Sequence, residues 1–160
     1  MNKPPYQKQA QPSGRSYPTD KTQKAKGRLL SAFKKGLEAQ PELMDLAHEF
    51  AEDLVNGRIQ VKHHQLRLVL DLAIRVKQSH KEAHDKALSP SSKGRLAVMR
   101  PRLAYMAARE RGLLPLQEEM DLLLKDKDSF NSGADLDRLY EFVAAVVAYH
   151  RYEESNKSFH

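Results

Sequence analysis

The chain has 160 residues and a mass of 18.3 kDa, which suits one domain, or one modest domain with a tail. Its 40% hydrophobic content supports a core, and 30% charge with 7% aromatic residues points to a well-solvated helical chain. The absence of cysteine excludes disulfides, thiolate nucleophiles and cysteine-based metal sites, and the net charge of +6 favours a polyanionic partner.

Residues 1–27 hold Pro4, Pro5, Pro12 and Pro18 among Gln, Ser, Gly and Lys, with almost no aliphatic side chains. Such a segment cannot bury enough surface to offset its ordering entropy, so a disordered basic arm is expected there and a helical-bundle domain over 28–160. A first helix is predicted over 28–35, stopped at Gly36. A second opens with Pro41 in its first turn and ends at Gly57. Its Leu43, Leu46, Ala47, Phe50 and Leu54 fall at helical spacing.

Residues 62–87 read as a third helix, apolar on most sides through Leu66, Leu68, Val69, Leu70, Leu72, Ala73, Ile74 and Val76 and therefore buried, with a polar end projecting into solvent. Ser89-Pro90-Ser91-Ser92 reads as a break. A fourth helix is expected over about 93–111, kinked or restarted at Pro101 and closed by Gly112. Pro115 starts a fifth through Lys125, followed by a polar connection around Phe130 and Gly133. The last, about 134–153, carries Leu136, Leu139, Tyr140, Val143, Val146, Val147 and His150 on one face. The expected fold is all-α, a compact bundle of five or six helices.

The charge is strongly segregated. Residues 1–36 hold nine bases against one acid (+8), and 37–57 hold six acids and no base (−6). Residues 58–111 hold thirteen bases against four acids (+9), and 112–160 hold five bases against ten acids (−5). Arg58, Lys62, Arg67, Arg75 and Lys77 lie on or beside the third helix. Lys93, Arg95, Arg100, Arg102, Arg109 and Arg111 lie on or beside the fourth. If these helices pack as neighbours, their outer faces form one positive surface suited to a nucleic-acid backbone; the alternative is a solvated helical face. Opposite charge on two faces also permits head-to-tail stacking.

Catalytic signatures are lacking. His80 and His84, four residues apart, share a helix face and are candidate metal ligands, but residue 81 is Lys, so no zincin pattern accompanies them. His63 and His64 face differently, and either imidazole could meet a phosphate. His150 reads as a core or interface histidine. Asp126, Asp128, Asp135 and Asp137 lack the glycine and terminal Glu of a calcium loop. No cofactor is expected. No apolar run reaches the roughly 20 residues of a membrane helix, and Met1–Lys26 has no apolar signal core, so a cytoplasmic protein without membrane contact is expected.

Three segments together resemble the small helical subunit of type III-A CRISPR effector complexes, the Csm complexes. They are Gln65-Leu66-Arg67; the run from Leu96 through Arg100-Pro101-Arg102 and Tyr105 to Arg109; and the run from Phe142 through Tyr149-His150-Arg151 to Tyr152. The likeness covers about 42–153. Where the family usually places a Thr or Ser cap, this chain has Lys62-His63-His64.

The resemblance implies a non-catalytic RNA-binding scaffold for antiviral defence. It would stack as a short filament along the guide RNA–target RNA duplex, beside the backbone and large subunits. It also implies Arg67, Arg100, Arg102 and Arg109 as RNA contacts, to which the basic segment adds Lys62. Tyr105 would stack or, more commonly for such an aromatic, pack in the core. Tyr149 and His150 would be structural. The alternative is a scaffold that holds effector subunits without touching RNA.

Overall fold

A computed structural model describes residues 26–158. All but the last two residues of the expected basic arm lie outside that range. Six α-helices follow one another: α1 (Arg28–Lys34), α2 (Gln40–Asn56), α3 (His63–Gln78), α4 (Pro90–Arg109), α5 (Leu114–Leu124) and α6 (Gly133–Ser158). Single 3-10 turns precede α2 (Leu37–Ala39) and α5 (Arg111–Leu113). No strand occurs among the described residues, so the all-α expectation holds.

The apolar stripes read from the sequence face one another. Leu43, Leu46 and Leu54 of α2, Leu66 and Val69 of α3, Met120 and Leu123 of α5, and Leu136, Leu139, Phe142 and Val146 of α6 are all buried in one continuous core. Each such side chain contributes about 1.5–3 kcal/mol by leaving water. Helix α6 lies between α2 and α3; α3 packs on α4, α4 on α5, α5 on α1 and α1 on α2, so the helices close into a ring of neighbours.

Arg138 is a polar member of this interior. Its guanidinium donates to the carbonyl oxygens of Phe33 (2.9 Å) and Gly36 (3.1 Å) and lies 4.2 Å from the centre of the Phe33 ring. It thus adds a charged donor to carbonyls that already accept the Gly36 and Ala39 amides where α1 ends. Burial lowers its pKa from the ordinary value, opposed by Asp135 and Glu141. Gly36 has a φ of 81°, a conformation that strains any residue with a Cβ, and this is the stop predicted there.

Three boundaries differ from expectation, one of them the end of α6, which runs on to Ser158 rather than stopping near 153. Helix α3 ends at Gln78 rather than near 87, because residues 77–82 are all polar and the chain beyond them is held by the segment 131–134 instead. Ser79 instead turns back, its hydroxyl donating to the Val76 carbonyl (2.5 Å) and accepting from the Ser92 hydroxyl (2.9 Å). The following loop docks on the start of α6. The Gly133 amide donates to Lys86 O (3.2 Å), Ala134 to His84 O (2.6 Å), and Leu88 to Asn131 O (3.1 Å). Gly133 is required by that approach, since a Cβ would lie 2.6 Å from His80 Nε2 and 2.9 Å from His84 Cα.

The expected break at 89–92 is instead a helix start. Ser89 is the N-cap of α4, its hydroxyl accepting from the Ser92 amide (3.2 Å), and Pro90 occupies the first turn, where its missing N–H costs nothing. Helix α4 then runs through Pro101 without a restart and ends at Arg109, with Gly112 in the 3-10 turn beyond it.

Candidate nucleic-acid interface

Helices α3 and α4 run antiparallel. At one end Gln65 Nε2 donates to Glu110 (2.5 Å); at the other the Ser79 and Ser92 hydroxyls meet. Gln65 also sets the start of α3, its side-chain oxygen accepting from the Lys62 amide (2.9 Å). This back-bond replaces the Ser or Thr cap that Lys62 lacks.

Between the two helices runs a trough. Leu68, Leu72, Pro101, Tyr105 and Met106 line one stretch with Arg75 and Arg102; Val98 and Met99 line the next with Arg75, Arg95 and Arg102. A third hollow at the α3–α4 loop shares Arg75 and Arg95 with Ser79, His80, Ser89 and Ser91. The geometry follows from spacing. Arg95, Val98, Arg102, Tyr105 and Arg109 recur at alternating intervals of three and four, as do His64, Leu68, Asp71, Arg75 and Gln78, so each set forms one stripe along its helix.

The trough sets cations and one carboxylate, Asp71, among exposed apolar surface. Leu68 is 53% exposed, Val98 48% and Tyr105 63%. The burial expected of Leu68 and the core packing expected of Tyr105 are therefore corrected. Leu68 points away from the side that Leu66, Val69, Ala73 and Val76 bury, and Tyr105 sits on the outer stripe of α4. Arg109 donates to the Tyr105 hydroxyl (3.3 Å), with its guanidinium carbon 5.8 Å from the ring centre. Arg67, Arg75, Arg95 and Arg102 are exposed and make no ion pair with the described residues. A polyanion approaching them displaces water and counterions, not a carboxylate.

Other bases are placed differently. Lys62 is exposed at the start of α3, and Arg67 projects about 100° round the helix from Leu68. Arg100 faces α5, roughly 160° round α4 from Arg102. There it forms two bonds to Asp121 (2.8 and 3.3 Å), and this carboxylate raises its pKa. Lys77 lies on the α6 flank, 3.7 Å from Asp137 and 4.3 Å from the centre of the Tyr140 ring.

Of the histidines, His80 and His84 do not share a helix face, because α3 ends at Gln78. His80 bonds the Ala83 carbonyl (2.8 Å) and lies against Gly133. His150 is buried, as expected of a core histidine. Burial lowers the pKa of His63, with nearby Glu154 opposing the shift. Tyr149 stacks on His48 with ring centres 4.3 Å apart.

The sequence marks Arg75 and Arg95 as basic but gives no sign that they share a trough with Leu72, Val98 and Met106. The three-and-four spacing on α4 is the signal that could have found it.

A family model described as Csm2 Type III-A matches residues 38–156, a span that contains all three motifs. The chain belongs to this family. Membership indicates a subunit of a type III-A CRISPR effector complex, as the resemblance implied. A search of curated proteins finds no match. No helix of the described residues is long and apolar enough to cross a membrane.

Proposed function

We propose that this Csm2-family chain is a non-catalytic scaffold that holds the target RNA backbone of a guide RNA–target RNA duplex in the α3–α4 trough. The observation that carries this reading is the row of guanidiniums, Arg75, Arg95 and Arg102, that make no ion pair with the described residues and lie beside an exposed tyrosine. Guanidiniums take phosphates in bidentate fashion. The Tyr105 ring offers a base a stacking surface worth about 1–3 kcal/mol, regardless of base identity. Lys62, Arg67 and Arg109 extend the cationic path toward the start of α3, and Arg100 holds α4 against α5 behind it. Copies stack along the duplex through charge complementarity, the acid-rich α2 of one meeting the basic face of the next, beside the backbone and large subunits of a cytoplasmic antiviral complex.

Titration of labelled single-stranded RNAs of increasing length tests this. Affinity should grow with length, fall steeply with salt and vary little with sequence; salt-independent affinity would refute it.

The exposed Leu68 and Val98 favour one second reading, in which the trough seats a helix of a neighbouring effector subunit without RNA contact. Pull-down of a backbone subunit before and after ribonuclease treatment separates the two: capture that survives, together with absent RNA binding, selects the second.

A further inference from the structure

We propose that His63, His150 and Glu154 form a site for one divalent transition-metal ion of the zinc class, clamping the start of α3 to the end of α6. Their ligand atoms all lie within 4.8 Å of one another, His150 Nδ1 being 3.7 Å from a Glu154 oxygen. His150 is wholly buried, and its Nε2 lies 2.7 Å from the Val61 carbonyl oxygen. A carbonyl only accepts, so Nε2 carries the proton and Nδ1 presents a lone pair. That Nδ1 is buried with no hydrogen-bond partner, and so is Nδ1 of His63. The two imidazole rings, with centres 5.9 Å apart, thus bring their orphaned nitrogens into one space with a carboxylate.

A ligating histidine commonly donates its other N–H to a backbone carbonyl, which fixes the ring and raises its basicity, and Val61 supplies that carbonyl here. Two imidazoles and a carboxylate suit Zn²⁺ and its neighbours rather than Mg²⁺ or Ca²⁺. With metal–ligand distances of about 2.0–2.2 Å the donors must draw closer than they now stand. His63 in the first turn of α3 and the half-buried Glu154 can rotate inward, leaving a coordination position for water. A hollow lined by Val61, Arg151, Lys157 and Glu154 opens to solvent on the Glu154 side. Arg151, 3.8 Å from Glu154, opposes a cation there and must release the carboxylate. The second cluster, His48 with Glu52 and Glu153, has its histidine nitrogen already bonded to Glu153 (2.8 Å) and offers no orphaned atom. The proposal is independent of RNA binding.

The full chain without an affinity tag, stripped with chelator, is titrated with Zn²⁺ by calorimetry and with Co²⁺ by absorption. One ion per chain should bind, with a cobalt spectrum of low coordination number and a raised melting temperature. His63→Gln and Glu154→Gln should each weaken Zn²⁺ binding by at least the roughly 10–100-fold that loss of a mere outer-shell partner costs. His48→Gln should leave binding unchanged, and Arg151→Gln, which removes only the opposing charge, should tighten it. Failure of the stripped chain to bind would overturn the site. So would equal affinity in the His63 and Glu154 variants, which would assign the metal to surface histidines such as His80 and His84 and leave an ordered water between the orphaned nitrogens.

Discussion

Arg100 and Arg102, two residues apart on α4, face opposite flanks. The first is bound to Asp121; the second is exposed beside the trough. Arg102→Glu should therefore weaken RNA binding at least tenfold without moving the melting temperature, as a fluorescence titration and a thermal melt would show. Arg100→Gln should cost only about 0–1 kcal/mol of stability, because its ion pair is partly solvated, and should alter RNA affinity much less. Arg138 stands at the other extreme. With a methionine there, the carbonyls of Phe33 and Gly36 keep their backbone donors, the Gly36 and Ala39 amides, but lose the charged one. Arg138→Met should cost about 1–3 kcal/mol in a urea melt.

At the scale of helices, the sequence marks where apolar periodicity runs but not which neighbour each face meets. All six helices were legible, since stripes such as Leu116, Met120, Leu123 and Leu124 have one face to bury and do bury it. The third was overextended because polar residues after Val76 carry no signal against a helix. What ends it is a long-range matter, the docking of 84–88 on 131–134. Ser89-Pro90 was misread as a break for a related reason: N-cap and turn chemistry use the same residue types. Ser89→Ala should then cost about 1 kcal/mol by removing the cap of α4, measurable by denaturant titration. The trough was only half legible. Basic residues on two helices announced a positive face, but the exposure of Leu68 and the pairing of Arg100 depend on where α5 and α6 sit. Residue spacing within α3 and α4 does not contain that information.

Over the whole molecule, charge and topology reinforce each other. The segment with six acids and no base forms α2 and its entry, packed on α6 and α1, while the segment with thirteen bases forms α3, α4 and their flanks, with α6 between α2 and α3. The guanidiniums of the basic face thus lie apart from the α2 carboxylates, as the proposed function requires of a face that meets RNA and an acidic face that meets a neighbouring copy or subunit. Mixing at rising concentration, followed by light scattering, should show salt-sensitive self-association that Glu42→Lys with Glu52→Lys, both exposed on α2, weakens. The central claim is that trough arginines neutralise phosphates, and each phosphate neutralised on a single strand steepens the salt dependence by about 0.7 in the log–log slope. Comparing that slope between the parent chain and the triple variant Arg75→Gln, Arg95→Gln, Arg102→Gln is the most direct test. The account predicts a slope shallower by about 2, and an unchanged slope would contradict it.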